Sequence, residues 1–477
     1  MPQIARNRPD GPGLPSRRVV YGLACLGGLV ALVLAVLLLA ERTSPAGAVA
    51  DRLAGERWYA VMFRHRPVGH YRAETHRTPT GDFVFRTELQ FKLAGDVATR
   101  MEDTLVFHRQ PPHPLLRAEH TASVGESRET RVRIADGFAT VSEATHQRQT
   151  DFDGDLAMDD YLAIERWLAE DEPPVGATRL ARAVDFDRLA VVTDSWRLLA
   201  RDADGVEVGK DALADSTFVR MDNDLIPQRM QIGALFSLEA VADESLARLW
   251  EQRPAVFSRA QSVAVHPPIR QPHALRRLVV DITHTGDEVP PWIEAMPSVL
   301  TSDSGAPPIA DPDDVMHASA ATVSHPADDP DLIALAERAV AGLADDADRA
   351  AALAGFVHGH LRYRDTDNAG GVLDTMRRRV GDCTEFADFY TTLARAVGLP
   401  ARTVIGLAYR NEPGEGGGAF ALHAWNEVAV GGVWRGVDPT WDQDSADLTH
   451  LALPEAFALA LIAELPKLRL RVVEAVY

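Results

Sequence analysis

Between Val19 and Ala40 the chain runs for 22 residues without a charge, built mainly of Leu, Val, Ala and Gly. At 1.5 Å of rise per residue, about 20 such residues cross the hydrocarbon core of a bilayer. A buried core helix rarely runs this long without a polar residue. A cleavable signal peptide is the main rival, because Ala48-Val49-Ala50 has the small-x-small form of a cleavage site. That site lies well past the apolar run, and the run is longer than a signal h-region. The reading is therefore an uncleaved signal anchor. Arg6, Arg8, Arg17 and Arg18 precede it against Asp10 alone, whereas Glu41 and Arg42 cancel on the far side. The positive-inside rule puts a tail, 1–18, in the cytoplasm. One pass, 19–40, crosses the inner (plasma) membrane, and 43–477 lie on the extracytoplasmic, periplasmic side. No second apolar run approaches this length.

The 477 residues are enough for two to four domains. Asp and Glu number 69 against 49 Lys and Arg, a net charge of −20. Such a chain repels phosphate backbones, so no nucleic-acid partner is expected. Cys25 and Cys383 are the two cysteines, which excludes a disulfide scaffold and any cysteine-rich metal site. Asp151, Asp153 and Asp155 resemble the start of a calcium loop. Leu156 takes the place of its glycine and Leu162 that of its bidentate Glu, so no metal and no cofactor are expected.

Residues 51–290 read as one or two antiparallel β units. From Phe83 to Leu93 the residues Phe83, Phe85, Leu89, Phe91 and Leu93 share one face; Arg86, Glu88, Gln90 and Lys92 share the other. Asp136-Gly137 between two alternating runs predicts a hairpin. Residues 301–329 lose this periodicity. Ser, Ala, Pro and Asp dominate there, so the stretch reads as a solvated acidic linker. From Pro330 the pattern turns helical, with Asp329 as cap.

The chemistry concentrates in 380–443. Phe386, Tyr390, Leu393 and Val397 space as one face of a helix that stops at Gly398-Leu399-Pro400. Asp382 is its N-cap and Glu385 completes a capping box, so Cys383 falls in the first turn. Helix N–H groups and the positive end of the macrodipole favour a thiolate there. A hairpin follows, turning at Gly431-Gly432. Pairing Val430 with Val433 sets Trp425 opposite Asp438, and Asp438 becomes the diagonal neighbour of His423. Cys383 as nucleophile, His423 as base and Asp438 as orienting acid make a working constellation.

Four motifs stand in family order: Gly381-Asp382-Cys383-Thr384-Glu385, Leu399-Pro400-Ala401-Arg402, His423-Ala424-Trp425-Asn426-Glu427-Val428 and Val437-Asp438-Pro439-Thr440. Together they resemble the transglutaminase-like superfamily, over about 330–455. The resemblance implies an α+β fold, with a papain-like core whose Cys helix packs on an antiparallel sheet. It implies attack of Cys383 on an amide carbonyl, a thioester, and completion by an amine or by water. The β-rich 51–290 and the single anchor resemble bacterial membrane-bound members. Phe386 departs from the Cys-x-Glu-His form of many bacterial relatives. The Cys383 N–H is the natural first oxyanion donor; Tyr363, Trp425 and Trp441 are pocket or oxyanion candidates.

The expected organisation is a β-rich region (51–290), a linker (301–329), the transglutaminase-like domain (330–455) and a C-terminal extension (456–477). The expected function is a membrane-anchored thiol acyltransferase or amidohydrolase acting on peptide or protein amides. The alternative is a silent peptide-binding module, or an envelope scaffold in which 51–290 holds an envelope protein partner.

Overall fold

The computed structural model describes residues 44–477 apart from 64–65, 93–97, 126–128, 144–145, 211–216, 234–235, 253–261, 287–288, 291–292, 294–295, 297, 302–309, 365–370, 412–416, 454–460 and 462–463. The expected tail and anchor, 1–18 and 19–40, lie outside the described residues. Among the described residues no helix is long and apolar enough to cross a membrane. They divide into two compact units, 44–252 and 262–477.

The first unit is one antiparallel sheet of fourteen strands. From one edge they run His146–Asp151, Phe138–Glu143, Glu129–Ala135, Leu115–Val124, Thr99–Phe107, Phe83–Phe91, Arg66–Arg77 and Gly55–Phe63. They continue Phe236–Val241, Pro227–Ile232, Phe218–Met221, Gly205–Lys210, Ala190–Asp202 and Thr178–Asp185. Nearly every neighbour in space is a neighbour in sequence. The exception is Gly55–Phe63 beside Phe236–Val241, which joins the two meanders. Asp136 and Gly137 take φ of 55° and 80°, the left-handed pair that a two-residue hairpin turn needs. Tyr59, Tyr71, Phe83, Phe85, Phe107, Tyr161 and Trp196 fill the interior. Helices Met158–Tyr161 and Ala163–Glu170 pack on the Thr178–Asp185 strand, and Pro45–Ala50 packs on both helices. Ala46, Val49 and Ala50 are buried there.

The second unit holds an eight-stranded sheet. Its path is Val299–Thr301, Arg277–His284, Leu468–Val476, Ser262–His266, Gly418–Val430, Ala401–Asn411 and His450–Leu453. Val433–Val437 pairs with the C-terminal half of Gly418–Val430, whose N-terminal half pairs with Ser262–His266. The strands within 262–284, read from sequence as part of the β-rich region, therefore belong to the second sheet. Alternation records that a strand has a buried face, not which sheet provides the cover. Leu468–Val476, in the predicted C-terminal extension, is likewise an interior strand of this sheet.

Helix Cys383–Ala396 lies on Gly418–Val430 and Ala401–Asn411, with helices Pro330–Ala339 and Asp346–His360 against its other side. Phe386, Phe389, Tyr390 and Leu393 are buried in the shared core with Leu353, Val357 and Val428. The stretch before Pro330 is a solvated linker only in part: helix Pro312–Ser319 is mostly exposed, but the residues after it enter the core. Thr322, Val323, Ser324, His325 and Ala327 are buried, and the His325 ring stands 3.4 Å from Asp388. Small residues let this segment enter the core, and its polar groups find partners there.

Candidate active site

Cys383 is the first residue of its helix, held by a complete capping box. The Thr384 N–H donates to Asp382 Oδ1 at 2.8 Å, and the Asp382 N–H donates to Glu385 Oε2 at 2.8 Å. Gly381 makes room for this box, because a Cβ there would overlap the Glu385 side chain.

The second element is the hairpin. Gly431 and Gly432 take φ of 63° and 78°, and Val430 pairs with Val433. The pairing ends at Asn426 opposite Val437, one step before Trp425 and Asp438. From Asp438 the chain doubles back, with Asp438 and Gln443 exchanging two backbone hydrogen bonds of 2.9 Å. This turn fixes the carboxylate. Oδ1 accepts the N–H groups of Thr440 (2.8 Å) and Trp441 (3.3 Å). Oδ2 accepts His423 Nε2 at 2.8 Å. That bond leaves Nδ1 of His423 as the ring nitrogen turned away from the carboxylate. The Ala424 N–H, next to His423, donates to the Cys383 sulfur. The helix start and the hairpin therefore meet at Cys383.

Aromatic rings box in the imidazole. Trp441 stacks on it at 4.2 Å, and Trp425 lies beyond at 6.2 Å. The Trp425 ring passes over Gly406, where a Cβ would come within 2.7 Å of it. Tyr363 stands elsewhere. Its backbone pairs with Gly381, its ring lies 6.4 Å from Phe386, and it is 55% exposed. The structure thus brings Trp425 and Trp441 to His423 and sets Tyr363 beside the helix start. Phe386, the departure from the family pattern, is a core residue.

Electrostatics correct one expectation. The sequence places Cys383 where a helix start favours a thiolate. In the structure, burial pushes the thiol well up, and Asp382, Glu385 and Asp438 add to this against the Ala424 N–H. Glu385 itself is pushed well up, by burial and by Asp382. Burial opposes ionisation of Asp438 too. There the bonds from His423 and His450 outweigh it and hold the carboxyl well below the usual carboxylate range.

His450 is the residue that the sequence did not reveal. It begins the strand beyond Ala401–Asn411, pairing with Ala408. Its Nε2 lies 3.2 Å from Asp438 Oδ2, and its Nδ1 lies 3.1 Å from the Asp447 carbonyl and 3.4 Å from Asp447 Oδ1. Burial opposes its charge, but the bonds to Asp438 and Asp447 outweigh it and push its pKa up to about 9. Asp447 is held well below the usual carboxylate range, against its burial, by His450 and Thr449. No local pattern marks His450, because its partner Asp438 is reached across the sheet. The nitrogens and carboxylate oxygens of His423, Asp438 and His450 lie within 4.8 Å of one another. Asp438 Oδ2 is hydrogen-bonded to both rings, and we read the group as that network.

Residues 333–439 match the sequence model of the transglutaminase-like superfamily. No curated protein matches the chain. Among solved structures, the chain is similar to a candidate cysteine protease from Cytophaga hutchinsonii. The identity is 22%, covering 34% of this chain and 52% of that one, with a TM-score of 0.26. The chain thus spans about half the length of that protein. It is also similar to the periplasmic domain of TgpA from Pseudomonas aeruginosa, at 17% identity over 57% of this chain and 72% of that one, TM-score 0.24. A β-barrel-like protein of a domain of unknown function from Brucella abortus matches at 12% identity over 39% of this chain and 95% of that one, TM-score 0.27.

Proposed function

We propose that this chain, whose residues 333–439 belong to the transglutaminase-like superfamily, is a thiol acyltransferase or amidohydrolase acting on peptide or protein amides. One observation carries the reading. His423 Nε2 is tied to Asp438 Oδ2 at 2.8 Å, while the neighbouring Ala424 N–H reaches the Cys383 sulfur. An imidazole fixed by a carboxylate beside a thiol at a helix start is what proton removal from that thiol requires.

Because burial and the carboxylates of Asp382 and Asp438 disfavour a standing thiolate, the proton leaves Cys383 as the sulfur attacks. His423 Nδ1 takes it while the new C–S bond forms and the carbonyl oxygen gains charge. The Cys383 N–H is the first donor expected for that oxyanion. The imidazolium then gives its proton to the departing amine and a thioester remains. Water or an acceptor amine attacks next, loses a proton to His423, and the thiol is regenerated. Asp438 holds the ring in the tautomer that both steps use.

The raised Cys383 thiol is also what a peptide-binding module without turnover would retain, and this is the second reading. Trapping decides between them. Full-length protein is incubated with glutamine-containing peptides and aryl amides, and the Cys383 peptide is examined by mass spectrometry for an acyl adduct. The enzyme reading expects an adduct in the wild type and none in C383A or H423A. Biological activity preserved in C383A would overturn it. We further propose that 19–40 anchors the protein, with both units outside the cytoplasm. The 22 uncharged residues flanked by arginines support this.

A further inference from the structure

Asp438 does not serve His423 alone. The same oxygen, Oδ2, meets His423 Nε2 at 2.8 Å and His450 Nε2 at 3.2 Å. On its other side, the His450 ring meets Asp447 through the backbone carbonyl at 3.1 Å and the carboxylate at 3.4 Å. A carboxylate and a carbonyl only accept hydrogen bonds. Both ring nitrogens of His450 therefore face acceptors, and both must carry a proton. With Asp438 and Asp447 held as carboxylates, this arrangement makes the ring a cation.

We propose that His450 is a positioning residue, a buried imidazolium that shares Asp438 with His423 and thereby limits how readily His423 accepts the Cys383 proton. This rests on the thiol-enzyme reading above. The groups facing His450 come from every element around it. Asp438 lies on the turn and Asp447 precedes the His450 strand. His423 and Trp425 stand on Gly418–Val430, and Trp441 follows Asp438. His273 reaches the far side of Asp447 at 2.9 Å.

A lone Asp438 would stabilise an imidazolium at position 423. With His450 charged, the carboxylate is already neutralised, and a proton arriving on His423 creates a second cation 6.0 Å from the first, ring centre to ring centre. Once His423 does take the proton, it is a stronger acid than an imidazole beside an unshared carboxylate. That suits expulsion of a poor leaving group, an amine, from a tetrahedral intermediate.

The test is the alkylation rate of Cys383 by iodoacetamide between pH 5 and 10, read by mass spectrometry of its own peptide in the full-length protein. H450Q keeps an N–H for Asp438 and lacks the charge. Removing a unit charge about 6 Å away at an effective permittivity of about 20 raises the pH 7 rate by up to about a hundredfold. D447N shifts the rate in the same direction by less, and it decides the matter if H450Q does not fold. The H423A background abolishes both effects. A profile in H450Q that superimposes on the wild type overturns the proposal, as does an equal slowing in H450Q and H450F, which marks His450 as packing alone. If H423A alkylates like the wild type at every pH, the base assignment itself fails and this proposal with it.

Discussion

The indole of Trp441 lies flat on the imidazole of His423, the planes 11° from parallel and the ring centres 4.2 Å apart. An aromatic face favours a cation above it by about 0.5–2 kcal/mol. Trp441 and His450 therefore act on His423 in opposite senses. In W441A the thiolate–imidazolium pair loses this support, and Cys383 alkylation at pH 7 falls about two- to thirtyfold, while W441F keeps most of the wild-type rate. An unchanged rate in W441A would show that the stack is packing only.

Gly381 is held to glycine by the Glu385 side chain, not by its own backbone angles. Beyond the overlap at Cβ, a methyl group there would stand 3.0 Å from Glu385 Cγ and 3.2 Å from Oε2. G381A should break the capping box, lowering stability by about 1–2 kcal/mol as other lost caps do. It should also move Cys383 away from Ala424. Chemical denaturation gives the first figure and the alkylation rate reports the second. A variant with wild-type values for both would mean the box is not needed to place the thiol.

His450 predicts an alkaline loss of stability. Its pKa is raised from about 6.5 in the unfolded chain to about 9 in the fold. The folded state then binds the proton more tightly. The contribution is complete below about pH 6.5 and is lost as pH rises through about 9, a fall of about 3 kcal/mol. Asp438 and Asp447, both lowered, contribute in the opposite window. Their share is present above about pH 3.9 and lost in acid. Urea unfolding of the wild type and H450Q from pH 6 to 10 checks the first claim; a wild-type curve as flat as that of H450Q would refute it.

In the first unit, both carboxyl oxygens of Glu165 are buried and meet no hydrogen-bond partner beyond the residue's own backbone. Burial pushes this carboxyl well up. Such a group opposes folding increasingly as pH climbs above the unfolded value of about 4.3. E165Q removes the ionisation and E165L also removes the polar atoms. Both should raise the melting temperature of this unit at pH 7, by several degrees for a gain of about 1 kcal/mol or more. The gain should shrink toward pH 4. A melting temperature lowered at pH 7 would indicate that Glu165 has a partner worth keeping.

What could be read from the sequence was whatever is local. Gly431-Gly432 forces a two-residue turn, and counting back from it brings His423 to Asp438 without any knowledge of the rest of the chain. Asp382 and Glu385 announce the helix start in the same way. His450 escaped because its strand pairs with Ala401–Asn411 and reaches Asp438 across the sheet. The Cys383 thiol differs from what its helix position alone predicts, for a related reason. A helix start is visible in sequence, but burial and the approach of Asp438 are not. The strand Arg277–His284 shows an apolar face, yet the strand beside it, Leu468–Val476, comes from the far end of the sequence.

That last pairing has a kinetic consequence. Leu468–Val476 sits between Arg277–His284 and Ser262–His266, so two strands made early stay without their neighbour until a segment nearly two hundred positions later leaves the ribosome. Closing so long a loop comes before any reward from the contact, which makes folding of this unit slow. Meanwhile the exposed strand edges invite pairing with other nascent chains. Passage through a chaperone that shields such edges would then limit the yield of active protein more than the stability of the finished fold.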